Sequence, residues 1–99
     1  MPSIYTTATF DKWFSDLKDL QGRARIQARI DRAELGNLGD AKPVGEGVVE
    51  MRIHVGPGYR VYLTQQGVEI IVLLAGGDKG SQAKDIKAAV KLAHELKDS

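Results

Sequence analysis

Residues 48–65 constrain the fold of this chain more than any other stretch. From Val48 to Val55, the apolar Val49, Met51, Ile53 and Val55 alternate with Glu50, Arg52 and His54. From Tyr59 to Gln65, Val61 and Leu63 alternate with Arg60, Tyr62 and Thr64. A period of two is the signature of a strand, because successive side chains leave a strand on opposite faces. Gly56, Pro57 and Gly58 lie between the two runs and supply a tight turn. The result is a hairpin with one apolar and one polar face, so the rest of the chain must supply a cover for the apolar face.

The preceding residues read as that cover. Ile4 to Thr7 favour a short first strand, and Thr7 or Thr9 is placed to cap a helix. Phe10, Trp13, Phe14, Leu17 and Leu20 recur at helical spacing, with Asp11, Lys12, Asp16, Lys18 and Asp19 outside. Gln21 and Gly22 read as a break. A second helix follows from Arg23 to Leu35, with Ile26, Ile30 and Ala33 as its apolar stripe, Ala24 and Ala28 supporting it, and Gly36–Asn37 as its stop. Two helices so close in sequence predict a helical hairpin laid on one face of the sheet. Gly39 to Gly47 reads as a Gly/Pro loop, with room for a short extra strand near Val44.

After the hairpin, Gln66 and Gly67 turn the chain into Val68–Ala75, which is apolar on both faces from Ile70 to Leu74 and so reads as an inner strand. Gly76, Gly77, Asp78, Lys79 and Gly80 read as an exit loop. Ser81 is the expected cap of a last helix with Ile86, Ala89, Val90 and Ala93 inside and Lys84, Lys87 and Lys91 outside. The order is β-α-α-β-β-β-α, an α+β domain with a mostly antiparallel sheet. Ninety-nine residues suit one domain over positions 1–99, since two cores would each be too small to offset chain entropy.

Counting back from the turn predicts Val55 opposite Tyr59, His54 opposite Arg60, Ile53 opposite Val61 and Arg52 opposite Tyr62. Arg52, His54, Arg60 and Tyr62 then share the face turned away from the helical hairpin, and the loop with Asp78 and Lys79 emerges beside Arg60. Cleaving an RNA phosphodiester requires a base for the 2′-hydroxyl, cations for the phosphate, an acid for the leaving oxygen and a surface for the bases. Arg60 can clamp a phosphate, Lys79 adds a second positive charge, His54 can move a proton near neutral pH and Tyr62 can stack on a base. Gln82 and Asp85 can line the same site from the start of the last helix.

Each of these residues has a plainer reading beside the chemical one. Arg52 with Glu50 or Glu69 makes an ordinary cross-strand ion pair, which is the leading reading for that residue. His54 can be a solvated strand residue and Tyr62 sheet packing. The glycines read as turns, because no phosphate-loop spacing is present. Arg25, Arg29 and Arg32 form a stripe on the second helix that can touch RNA phosphates, but a solvated face interleaved with Asp31 and Glu34 suits them better.

Composition narrows the class further. No cysteine is present, so disulfides, thiolate metal sites and cysteine nucleophiles are excluded, and neither histidine falls in a zinc or magnesium spacing. The scheme calls for no metal or cofactor. A net charge of +1 carries no argument by itself, so the distribution of charge must. There is no apolar run of about 20 residues and no signal-peptide pattern, which makes the cytoplasm the expected compartment and a membrane partner unexpected.

The run EMRIHVGPGYRVYL, followed by IIVLLAGGDKGSQAKDI and preceded by FDKWFSDLKDLQGRARIQARIDRAELGNLGDAKPVGEGV, resembles the RelE/ParE superfamily of toxins. The likeness covers roughly residues 8–95 and is strongest to the phage-derived, HigB-like addiction-module killer branch. It implies a curved antiparallel sheet with helices packed on one side, and a bacterial type II toxin–antitoxin toxin, an mRNA interferase that inhibits translation by cutting mRNA in the ribosomal A site. It also implies a cognate antitoxin, in this branch usually a helix–turn–helix DNA-binding protein, held with the toxin in a hetero-oligomeric complex. The arginine of the GYR segment and the basic residue after the last strand assist cleavage in RelE-like members, and these match Arg60 and Lys79. His54 matches a histidine of some HigB-like members. The chain departs from RelE proper in having Arg52 and His54 where a lysine pair stands, and in ending with a full helix instead of a short catalytic tail. Two other functions remain open beside the endoribonuclease: a ParE-like inhibitor of DNA gyrase, and a non-enzymatic module that only binds the antitoxin.

Overall fold

The computed structural model describes residues 1–98. Its elements are β1 (Ser3–Thr6), α1 (Ala8–Asp16), α2 (Leu20–Glu34), β2 (Ala41–Gly45), β3 (Val48–Ile53), β4 (Tyr59–Gln66), β5 (Ile70–Asp78), a 3-10 turn (Lys79–Ser81) and α3 (Gln82–Lys97). The strands form one sheet in the order β1-β5-β4-β3-β2. The β1–β5 pair is parallel and the other pairs are antiparallel. The architecture is therefore α+β with a mostly antiparallel sheet, as the alternation predicts.

Thr7 joins the first strand to the first helix. Its Oγ1 accepts from Phe10 N–H at 3.0 Å, capping α1, and donates to the Leu74 carbonyl at 2.6 Å. The helical break falls at residues 17–19 instead of Gln21–Gly22. Asp19 starts α2 by accepting from Gly22 N–H at 3.0 Å, and Leu20, expected on the apolar stripe, is exposed. Gly22 has a packing role instead: a Cβ there would lie 2.5 Å from the Tyr59 ring, so glycine permits the close approach. Ala24 and Ala28 are also exposed, leaving Ile26, Ile30 and Ala33 to bury the helix.

Ala41–Gly45, read mainly as loop, is the edge strand β2. Pro43 is tolerated there because an edge strand has a side without ladder bonds. Glu46 and Gly47, both at positive φ, close a tight hairpin into β3.

The register of the central hairpin lies two residues from the expected one. Ile53 pairs with Tyr59, Arg52 with Arg60, Met51 with Val61 and Glu50 with Tyr62. The reason is the turn. Residues 54–58 all leave the ladder, and Val55 N–H and Gly58 N–H bond instead to the carbonyls of Ile53 and Val55. An even shift keeps every side chain on its expected face. Arg52, Arg60 and Tyr62 do share one, with Glu50 as a fourth member and His54 beyond the strand end.

That face is not open. Phe10, Ile26, Ile30 and Ala33 pack on Met51, Ile53, Val61, Leu63 and Leu73 on one side of the sheet. On the other side Ala89 and Ala93 of α3 pack on Val48, Tyr62, Val72 and Leu74. The sheet is sandwiched, and the last helix covers the polar face expected to look into solvent. β5 also runs on through Gly76, Gly77 and Asp78, which were expected to form the exit loop. A bulge opposite Tyr62/Leu63 makes this possible, because Leu74 and Ala75 both contribute to the α3-side core. Beyond it the parity inverts, so Gly76 meets Trp13 of α1 and Gly77 meets Asp85 of α3.

Candidate functional site

Glu50 organises the covered polar face. Its side chain is fully buried and accepts from Arg52 Nε at 3.1 Å and from Gln82 Nε2 at 2.8 Å, while Arg60 Nε stands 3.8 Å away. Burial raises the carboxyl's pKa, but the hydrogen bonds from Gln82 and Arg52 and the charge of Arg60 outweigh it, leaving the group below the ordinary glutamate range. Tyr62 is buried beside it. Its hydroxyl lacks a hydrogen bond of good geometry, and burial with the nearby Glu50 charge pushes the phenol well up. With no exposed ring face it has no room to stack a base, so that expected role is corrected.

Arg52 is committed to Glu50, in line with the ion-pair reading. Gln82 faces the same carboxylate. Asp85 accepts from Ser81 Oγ at 2.5 Å and sits so close over Gly77 that a Cβ there would lie 1.8 Å from its Oδ2. Ser81 stands at the N-cap position of α3 as expected, but among the described residues its side chain makes no capping bond to that helix; Asp78 caps the preceding 3-10 turn by accepting from the Gly80 and Ser81 N–H groups. Gln82, Asp85 and Tyr62 thus join α3 to the sheet while Arg52 pairs with Glu50 within β3, and these four do not line an open groove.

The other three candidates meet at one end of the sheet. His54, residues 55–58, Arg60 and Lys79 line a depression of about 420 Å³. Gly58, at φ +81°, is its corner: a Cβ there would stand 3.5 Å from Lys79 Cβ and 3.6 Å from Arg60 Nη1. Arg60 is largely buried, and its Nη1 donates to the carbonyls of Gly58 and Tyr59, both at 3.2 Å. Its guanidinium is thereby held fixed at the floor. Lys79 is exposed and, among the described residues, has no hydrogen-bond or ion-pair partner.

His54 also borders a second depression, of about 210 Å³, together with Arg25, Ala28, Arg29, Arg32 and Ile53. Arg29 is taken up structurally. It donates to the carbonyls of Arg52 (2.5 Å), Leu38 (2.9 Å) and Asp40 (3.1 Å), and burial, with the charge of Arg32 adding, lowers its pKa. Arg25 and Arg32 remain exposed and, among the described residues, their side chains are unpaired. His54 itself bonds through Nε2 to the Asp40 carboxylate. A third cleft, beside α1 and α2, has Asp11, Asp31 and Glu34 around Phe10, Phe14 and Ile30, a charge that repels phosphate.

Sequence reasoning names Glu50 only as an ion-pair partner of Arg52, without its burial, and misses Asp40. Glu50 lay in view on the same strand face as Arg52, but a carboxylate in a strand ordinarily faces water. Asp40 stands in a loop, where no periodicity points to a partner. Among the described residues no group of three or more His, Asp or Glu side chains is arranged to hold a metal ion, and no helix is long and apolar enough to cross a membrane.

An uncharacterized protein of Haemophilus influenzae is 55% identical to this chain over 93 residues, spanning 94% of each. The chain belongs to that protein's family. No family model and no solved structure matches it.

Proposed function

We propose that this protein is a RelE/ParE-like, HigB-like toxin of a type II toxin–antitoxin pair, acting as a ribosome-dependent mRNA endonuclease. The observation that carries the reading is the depression in which Arg60, Lys79 and His54 come together. Two cations and an imidazole around one concavity suit a phosphodiester. Arg60, fixed by its carbonyl contacts, and Lys79, free to move, stabilise the charge that builds on the phosphate oxygens. His54 takes the proton of the 2′-hydroxyl. The 2′-oxygen then bonds to phosphorus as the bond to the 5′-oxygen breaks, giving a 2′,3′-cyclic phosphate and a 5′-hydroxyl. The leaving oxygen takes up a proton, for which the Lys79 ammonium is a candidate donor. Arg25 and Arg32, beyond His54, extend the cationic surface in the direction an RNA backbone can follow.

The proposal includes a cognate antitoxin, of the helix–turn–helix DNA-binding class, and action in the cytoplasm. Toeprinting of translating ribosomes tests the reaction: new mRNA ends appear with the wild-type protein, including in EDTA, and are lost with Lys79→Ala. Unchanged ends with Arg60→Ala plus Lys79→Ala, or no ends with the wild type, count against it. Arg60's own partners favour a second reading. A guanidinium already engaged by Glu50 and two carbonyls is also what a purely structural arginine looks like, and that suits a non-enzymatic antitoxin-binding module. Normal growth of cells after induction favours this alternative, whereas poisoning of gyrase without translational arrest favours a ParE-like activity.

A further inference from the structure

We infer that Asp40 is a positioning residue for His54, fixing which ring nitrogen carries the proton; the inference rests on the RNA-cleaving reading above. Asp40 lies in the segment between α2 and β2, and its backbone is pinned. Arg52 N–H donates to the Asp40 carbonyl at 2.9 Å, and Arg29 Nη2 donates to the same oxygen at 3.1 Å. The same guanidinium binds the Leu38 and Arg52 carbonyls, clipping the segment to β3. The Asp40 side chain is thereby delivered to the imidazole, although both groups remain accessible to solvent.

The consequence follows from donor and acceptor inventory. An ionised carboxylate can only accept, so the nitrogen bonded to it must be the N–H. Asp40 is held ionised: the hydrogen bond with His54 lowers its pKa, with the nearby Arg52 and Arg29 charges acting in the same sense. Nε2 is the bonded nitrogen, which leaves Nδ1 as the one able to take a proton from a substrate. The two depressions that His54 borders are also lined by charged residues: Arg25, Arg29 and Arg32 of α2, Arg60 of β4 and Lys79 after β5. All of them are cationic. Among these cations Asp40 is the carboxylate bonded to the imidazole.

The test pairs imidazole nitrogen NMR with kinetics on the full-length chain. At about pH 8, where an ordinary imidazole is neutral, wild-type His54 shows the Nε2–H tautomer; a His94→Gln variant assigns the two histidines. Asp40→Asn, whose amide can donate as well as accept, abolishes the tautomer bias. It also lowers kcat by roughly 10- to 100-fold with little change in KM, while Asp40→Glu restores part of the rate. An unchanged nitrogen spectrum in Asp40→Asn, or wild-type kcat in that variant, overturns the inference. A wild-type protein that cuts no RNA instead overturns the endonuclease reading, and with it a catalytic role for Asp40. The spectra then still decide separately whether the pair exists as described.

Discussion

The Glu50 carboxylate accepts a 2.8 Å hydrogen bond from the Gln82 amide, tying the middle of the sheet to the first residue of α3. Removing one member of a buried charged set leaves the others without compensation, and such a change costs about 3–5 kcal/mol. Glu50→Ala is therefore expected to destabilise the fold by that order in urea titration, with α3 affected first in hydrogen exchange.

The same carboxylate makes a prediction about acid. Its pKa in the folded protein lies below the ordinary value of 4.5. A carboxyl of depressed pKa contributes stability that is fully present above the unfolded pKa and is lost as pH falls through the folded one. Unfolding free energies measured from neutral pH down to about pH 3 should fall on the acid side. Glu50→Gln should flatten that fall, leaving the part owed to Asp19 and Asp40, whose values are also lowered.

Tyr59 and Asp19 form a second tie, the phenol donating to Asp19 Oδ2 at 2.7 Å while Oδ1 caps α2. Tyr59→Phe and Asp19→Asn should each lower the melting temperature. The double variant should lose less than the sum of the two, because both changes break one shared bond.

Gly76 is expected to resist substitution. A Cβ there would lie 2.1 Å from the Trp13 ring. Gly76→Ala must push the indole out of place and should cost about 1–3 kcal/mol, read as a shift in the denaturation midpoint and in tryptophan fluorescence.

Lys79→Ala should leave stability nearly untouched, since the side chain is exposed and has no partner among the described residues, yet weaken single-stranded RNA binding. If the ammonium neutralises one phosphate, the slope of log affinity against log salt should fall by roughly 0.7. An unchanged slope would remove Lys79 from the binding surface.

Much of the fold could be read from residue order. The helical spacing of Phe10, Ile26 and Ile30, the alternation through β3 and β4, and the stop at Gly36 are local signals, and each survives folding. Face assignment survived as well, because parity depends only on counting within a strand. What failed depended on partners distant in sequence. The turn at residues 54–58 took up two more residues than a tight hairpin, shifting the register. Gly22, Gly76 and Gly77 look like chain breakers until Tyr59, Trp13 and Asp85 are seen pressing on them. Above all, the amphipathic pattern of α3 shows that one face of it must be buried, but not on which side of the sheet, so from sequence Tyr62, Arg52 and Gln82 read as the lining of a groove. The cluster of His54, Arg60 and Lys79 is legible because all three sit at ends of neighbouring strands that the topology brings to one end of the sheet.

The bulge in β5 limits how this gene can change length. An odd number of residues inserted or deleted between the bulge and Gly77 would turn the tail of the strand over, sending Asp85's neighbour toward the indole and the indole's neighbour toward α3. Single-residue insertions and deletions should therefore be rejected at this site while being tolerated at the exposed Gly67 turn, a contrast that a deep insertion scan can read directly.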